Sequence, residues 1–469
     1  MRKIAIIGAG SVVFCKTLVL DILRVPALRD SEFVLMAPST RNTGQAAAFF
    51  QSVIEAEHLP ARVRITTDRR DALAGADYVI LTFQIGGMAA YEADCEIPLQ
   101  YGVRSCIGDT LGPGGVFRAL RTIPVVRDLA AEVRALCPNA LVLNYVNPMA
   151  MVSWALGIEG VNFVGLCHGV QTTLDLIAGY CGVRKEEVDF LCAGINHMGW
   201  FLRVEKDGED LYPRFREAME DPGHYVNEKV RAEVLRHFGY FCTESTGHLS
   251  EYLPYFRKNE KALDLYCDEP GFGGETNANL KFTRHVQEKY GGRLLENEPV
   301  GLPPRSVEYC SYILEAMETG VPFRFNGNVP NGGMIENLPA DCCAEGPLYA
   351  DRMGIHRTVV GELPPQLAAL NLTNISVQRL AVRAAYTGDP EHVVHALALD
   401  PLTSAVLTLH EIREMASEML EAQRAWLPQF AGRSVAPRPV ISIPKDVVRE
   451  PVPVDPALAI MARFGELSK

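Results

Sequence analysis

Lys3-Ile4-Ala5-Ile6-Ile7-Gly8-Ala9-Gly10-Ser11 decides the fold of this chain. A short run dominated by Ile and Ala reads as a buried strand, and the glycines after it mark a turn tight enough for backbone to approach a pyrophosphate. The apolar stretch 13–23 then reads as a helix whose N-terminus faces that turn, where an anion is favoured. Strand, glycine turn and helix in this order open a dinucleotide-binding unit. The third position of the usual fingerprint is Val13 rather than Gly or Ala, so the context carries the reading more than the pattern does. The next strand, Phe33-Val34-Leu35-Met36, runs into Ala37-Pro38-Ser39-Thr40-Arg41. No acid stands there to bind the adenosine ribose. Three readings stay open: Ser39 and backbone groups take the ribose, Arg41 tolerates a 2′-phosphate, or cofactor affinity is weaker. Loss of the carboxylate weakens discrimination between NAD and NADP.

Working outward, segments 3–7, 32–36, 63–66, 78–83 and 140–144 read as strands, with helical patterns such as 13–23 and 123–137 between them. That alternation predicts a parallel sheet covered by helices. After residue 164 the helical stretches lengthen (227–237, 306–318, 402–427). Segment 264–292 reads as an excursion or a subunit contact, and the Pro- and Val-rich stretch 436–456 is expected to drape over a surface. At 469 residues the chain is long enough for two domains. The boundaries expected are 1–165 for a Rossmann domain and 166–469 for a catalytic, substrate-binding and oligomerisation domain.

A formal net charge of -12 with no dense Lys/Arg block argues against nucleic acid and anionic membranes as partners. No run approaches the ~18 apolar residues that span a bilayer. The 12 cysteines are scattered through a long chain without a secretory leader, which predicts free thiols in a reducing cytoplasm. The adjacent Cys342 and Cys343 read as core or loop cysteines.

Gly108-Asp109-Thr110-Leu111-Gly112-Pro113-Gly114-Gly115 is expected to be neither helix nor strand, because its glycines and proline break both. It is a constrained loop carrying a carboxylate, Asp109, ahead of Arg118 and Arg121 on the following helix. A rigid turn that caps this helix is the plainer alternative. Asn144-Tyr145-Val146-Asn147-Pro148 ends a strand at the carboxyl edge of the sheet, where ligands of open α/β folds bind. Asn147 there either donates to sugar hydroxyls or caps the helix that Pro148 begins. Cys167 and His197 are a soft ligand and an imidazole too far apart in sequence for a finger-type knuckle. As a metal pair they leave positions open for substrate oxygens, while an inert buried thiol and a satisfied imidazole are the alternative.

Together these motifs resemble glycoside hydrolase family 4, the NAD- and manganese-dependent glycosidases, over nearly the whole chain. The resemblance runs through Gly8-Ala9-Gly10-Ser11, Phe83-Gln84-Ile85-Gly86-Gly87, the Asp109–Gly115 loop with Arg118-Ala119-Leu120-Arg121, and Asn144-Tyr145-Val146-Asn147-Pro148-Met149. It continues through Gly165-Leu166-Cys167-His168, Gly194-Ile195-Asn196-His197-Met198 and Gly239-Tyr240-Phe241. It implies an α/β fold with an N-terminal Rossmann domain and a lactate/malate dehydrogenase-like C-terminal α/β domain, assembled as a homodimer or homotetramer. Within the family the chain is most similar to α-galactosidases, with α-glucuronidase or α-glucosidase activity as the nearby alternatives.

The implied mechanism oxidises the sugar at C3 with NAD, removes the acidified C2 proton, expels the aglycone and reverses the steps after water adds. Such enzymes stand outside the two-carboxylate scheme of most glycosidases. The resemblance makes Cys167 and His197 the Mn²⁺ ligands, and Gly8, Gly10, Ser11, Phe83 and Gln84 the cofactor contacts. Asp109, Asn147, Arg118 and Asn196 become the substrate contacts, and Asp109 counts among the catalytic residues as well. His168 stands where phosphoglucosidases carry an acidic residue, which disfavours phosphosugars and makes it a proton donor to the leaving group. Tyr252 and His248, in Thr246-Gly247-His248-Leu249-Ser250-Glu251-Tyr252, are the candidates for the C2 base, and a hydrogen-bonded Tyr near a cation is expected to have a lowered pKa. Gly169 departs from the Ser that α-galactosidases usually carry and matches the α-glucuronidases, which lack the Asp109–Gly115 type of loop. A dehydrogenase that releases NADH would not need Cys167, and a cofactor-binding regulator would not need Cys167, His197 and Asp109 together.

Overall fold

The structure is a computed structural model and describes residues 1–290, 295, 298–448, 450 and 456–467. The strands in chain order are β1 (Lys3–Ile7), β2 (Glu32–Met36), β3 (Arg62–Thr66), β4 (Tyr78–Leu81), β5 (Leu141–Asn144), β6 (Phe163–Gly165), β7 (Asp189–Ile195), β8 (Met198–Lys206), β9 (Glu209–Asp210), β10 (Phe323–Pro330), β11 (Cys343–Asp351) and β12 (Gly354–Arg357). The first six are parallel in the order β3-β2-β1-β4-β5-β6, which is the order of a Rossmann sheet. β4 is buried along its whole length, as a parallel strand covered on both faces must be. β10 then pairs antiparallel with β6 at Asn328 and Gly165, and the sheet continues through β11, β7, β8 and β9. The expected α/β class, with an N-terminal Rossmann half, is the class the chain adopts. No helix among the described residues is long and apolar enough to cross a membrane.

Several local expectations are corrected. Gly112–Gly115 are not loop: they form the first turn of a helix, Gly112–Leu136, that absorbs the expected 123–137. Proline is tolerated there because the first-turn N–H has no intrahelical partner to lose. The helix expected from 306 begins at Cys310. The one expected over 402–427 is broken into Pro401–Val406 and Leu409–Ala422, because Thr408 and Glu411 form a reciprocal cap that starts a new helix. Segment 264–292 is no excursion. It contains helix Ala278–Tyr290, which buries Ala278 and Leu280 and donates from Asn279 to the Tyr91 hydroxyl at 2.7 Å. Its last residues, Gly291 and Gly292, lie outside the described residues.

The chain divides into units Met1–Ala436 and Pro437–Lys469. In the second, Val440, Ile441, Ile443, Val447 and Val448 are exposed, and Pro456–Leu467 is a helix. Residues 449 and 451–455 of the expected draping segment lie outside the described residues.

One buried ion pair anchors the first unit. Arg121, on helix Gly112–Leu136, meets Asp94, on helix Gly87–Gln100, with both side chains fully enclosed. Gln423 completes the arrangement, donating to Asp94 Oδ1 at 2.7 Å and accepting from Arg121 Nη1 at 3.0 Å. Arg121 also donates from Nε to the Ile85 carbonyl at 2.9 Å. It is thus separated in role from Arg118, its neighbour one helical turn earlier.

Candidate active site

Gly8 takes φ +95°, and a Cβ on it would lie 2.6 Å from the backbone nitrogen of Phe83. Only glycine serves at this crossing of β1 and β4. Gly8 and Ala9 both donate to the Met36 carbonyl, at 2.9 and 3.1 Å, which fixes the turn against the end of β2. Helix Val12–Arg24 follows with Ser11 as N-cap and no side-chain capping bond, leaving its first-turn amides open to an anion. These groups border a cleft of about 470 Å³ that gathers Gly8, Gly10, Ser11, Phe83 and Gln84 together with Asn147 and Arg118. Ala37 and Pro38 also line it, so the wall where an acid was sought is apolar. Ser39 caps helix Thr40–Ala56 by accepting from Arg41 N at 3.4 Å, and Arg41 is exposed.

The Asp109 loop is held from below. Glu251 accepts from the backbone nitrogens of Cys106, Ile107 and Gly108 at 3.0 to 3.2 Å. Above, the first turn of helix Gly112–Leu136 presses so close that a Cβ on Gly115 would sit 2.4 Å from the Thr110 carbonyl carbon. Asp109 Oδ2 accepts from Arg118 Nη1 and from Asn147 Nδ2, each at 3.2 Å. Its other oxygen is buried with no hydrogen-bond partner, an acceptor ready for a hydroxyl. Asn147 therefore does not cap helix Met149–Ile158, whose N-cap is Pro148. Gly115→Ala is expected to displace Thr110 and Asp109 without unfolding the chain. Turnover should fall on the order of 100-fold, the usual penalty of an ångström-scale misplacement; steady-state kinetics beside circular dichroism checks it.

Cys167 follows β6, and His197 sits in the two-residue turn between β7 and β8, closed by the Ile195–Met198 pair. His197 has φ +65°, a conformation a non-glycine residue adopts only when its surroundings enforce it. The fold brings Cys167 Sγ to 3.5 Å from His197 Nε2. Burial pulls the His197 imidazole down to about 4, so it is neutral at physiological pH, the state that binds cations. Burial likewise pushes the Cys167 thiol up. His197 Nδ1 lies 3.4 Å from both Thr110 Oγ1 and the Tyr252 hydroxyl. The Tyr252 hydroxyl donates to Thr110 Oγ1 at 2.7 Å, and His248 Nε2 lies 3.0 Å from the same oxygen. Thr110 thus links the loop of Asp109 to both base candidates and to His197. Asn196 is buried in the same turn as His197.

In the metal-free chain, enclosure and the nearby carboxylates push the Tyr252 hydroxyl up; the lowered value is expected of the cation-loaded site. Against the downward pull of burial, Glu244 and Glu251 raise His248 to about 9. His168 has its own partner beside this network. It pairs with Glu308 at 3.2 Å, which raises it, and its side chain is 51% exposed.

Sequence reasoning missed Glu244. Its Oε1 lies 3.6 Å from Cys167 Sγ and 3.5 Å from His197 Nε2, while its Oε2 lies 3.5 Å from His248 Nδ1. The segment before it runs along β8, with Trp200 bridged to Cys242 and Thr243 bonded to Gly199 in both directions. A solitary acid in a loop carries no pattern that would mark it.

Two family models match almost the full length of this unit. Residues 3–183 match the family 4 glycosyl hydrolase model, and residues 192–403 match the family 4 glycosyl hydrolase C-terminal domain. The chain belongs to the family 4 glycosyl hydrolases. It is 44% identical over 442 residues to an α-galactosidase of Rhizobium meliloti, covering 92% of this chain and 90% of that one. It is 39% identical over 440 residues to an α-galactosidase of Bacillus subtilis, covering 92% and 100%. Among solved structures it is similar to the 6-phospho-β-glucosidase from Thermotoga maritima with manganese, NAD⁺ and glucose-6-phosphate, with TM-score 0.74, 25% identity, and coverage of 91% and 99%. As a member of this family the chain is a glycoside hydrolase.

Proposed function

We propose that this glycoside hydrolase cleaves α-galactosides with the help of NAD and Mn²⁺. The observation that carries the reading is a thiol and a neutral imidazole 3.5 Å apart, joined through Thr110 and Asp109 to the Asn147 wall of a dinucleotide-type cleft. The α-galactosidases of Rhizobium meliloti and Bacillus subtilis support the sugar. The Thermotoga maritima structure with manganese and NAD⁺ supports the cofactors.

The residues fit both groups. A turn that excludes any Cβ at Gly8, followed by uncapped helix amides, suits a pyrophosphate. Cys167 and His197 suit a divalent ion with open positions. When bound, NAD would take a hydride from C3 of the sugar and return it, and the cation would stabilise charge developing on the C2 and C3 oxygens.

The chain's own groups account for the remaining steps. Asp109 accepts a sugar hydroxyl at its unpartnered oxygen, while Arg118 and Asn147 hold the other oxygen in place. Tyr252 and His248 are the two groups placed to take the C2 proton, since the Tyr252 hydroxyl and His248 Nε2 both lie on Thr110 Oγ1, at 2.7 and 3.0 Å. His168, oriented by Glu308, keeps a proton for the leaving oxygen. The test is hydrolysis of nitrophenyl α-galactosides, α-glucosides and α-uronides in D₂O. The α-galactoside should be cleaved fastest, and its galactose should carry deuterium at C2. A faster uronide would overturn the sugar, and product free of deuterium would overturn removal of the C2 proton.

A further inference from the structure

We infer that Glu244 is a third protein ligand of the divalent ion, and that Gly169 is glycine because Glu244 occupies the space of its side chain. The inference rests on the reading of Cys167 and His197 as ligands and extends it. Cys167 Sγ, His197 Nε2 and Glu244 Oε1 form a triangle with sides of 3.5, 3.5 and 3.6 Å. The centre of such a triangle is about 2.0 Å from each corner. An ion slightly out of its plane reaches the ~2.0–2.3 Å typical of N, O and S ligand bonds without any movement of the chain. Three protein donors leave further coordination positions for sugar oxygens. A carboxylate in the set also moves its preference from soft ions toward Mn²⁺.

Two features independent of that triangle point the same way. Glu244 holds φ +74°, a conformation disfavoured for its side chain and stored only where the surroundings fix it. A Cβ on Gly169 would lie 2.2 Å from Glu244 Oε1, the atom that faces both Cys167 and His197. No side chain larger than hydrogen fits at 169 while Glu244 stays in place. Glu244, 17% exposed, lies beside thiol and imidazole groups, with no lysine or arginine hydrogen-bonded to it among the described residues. A carboxylate with such neighbours is compensated by a cation better than by imidazoles alone. The glycine at 169 thus has a physical cause in the placement of Glu244.

The test is Mn²⁺ binding to the metal-stripped full chain, read as free Mn²⁺ by electron paramagnetic resonance, with thermal unfolding confirming each fold. Glu244→Gln should weaken Mn²⁺ by more than the ~10- to 100-fold that losing a mere supporting contact costs. Gly169→Ala should weaken it comparably in the parent, yet cost nothing further in Glu244→Ala, because the clash is then gone. Parent-like binding by Glu244→Gln, with binding lost in Cys167→Ser, would overturn the inference and leave the Cys167–His197 reading standing. An equal cost of Gly169→Ala in both backgrounds would overturn the role given to the glycine. A parent chain that binds no Mn²⁺ would overturn both readings together.

Discussion

Cys167→Ser is expected to reduce turnover about 1000-fold while leaving the fold intact. A bound cation contributes several kcal/mol of charge stabilisation, and about 4 kcal/mol corresponds to three powers of ten in rate. A serine hydroxyl ionises far less readily than a thiol, so its oxygen is a poor substitute for the sulfur ligand beside His197. The substitution is nearly isosteric and accommodates the same neighbour, since Gly169 N donates to Cys167 Sγ at 3.4 Å and can donate to an oxygen. Aglycone release with added Mn²⁺, measured beside far-ultraviolet circular dichroism, checks it. Turnover within a few-fold of the parent would refute Cys167 as a ligand.

The second large effect is on stability. Asp94→Ala leaves the Arg121 guanidinium enclosed without its counter-charge, and Gln423 without its acceptor. Breaking a buried pair by removing one partner costs about 3–5 kcal/mol. Urea unfolding should show this as a lower transition midpoint. Breaking the exposed Arg184–Glu187 pair, with the Arg184 side chain 76% exposed, should leave the transition where it is. A parent-like midpoint for Asp94→Ala would show that Arg121 finds compensation elsewhere.

The Rossmann half was legible because two local signals agree there. β1 is a continuous apolar run, and Gly8 is required by a backbone approach that no other residue allows. Apolar content alone would not have separated β4 from a buried helix; its position between helical stretches did. The breaks in the C-terminal helices were written in Thr408 and Glu411, a capping pair overridden by the stronger apolar periodicity around it. Gly112-Pro113-Gly114-Gly115 misled for the opposite reason. Residues that break a helix interior are acceptable in its first turn, and here the glycines answer to the packing of Gly108 and Thr110.

The site was legible only where motifs carried it. Cys167 follows β6 and His197 sits in the β7–β8 turn, and nothing in their spacing states that these two places converge. Glu244 was invisible because its place depends on a segment lying along β8, a long-range pairing with no local signature. Gly169 was noticed as a departure, yet its meaning lay in Glu244 Oε1. The charge environment of His248 likewise depends on Glu244, outside the 246–252 stretch, as well as on Glu251 within it.

The central claim is that a hydride is borrowed and returned within each glycosidic cleavage. It is tested most directly by following aglycone release and reduced nicotinamide absorbance together, with an aryl α-galactoside and the cofactor-stripped enzyme. Release should require both added NAD and Mn²⁺ and continue for many turnovers, while NADH stays at or below one equivalent per active site. NADH rising mole for mole with the aglycone, or release undiminished without NAD, would contradict it.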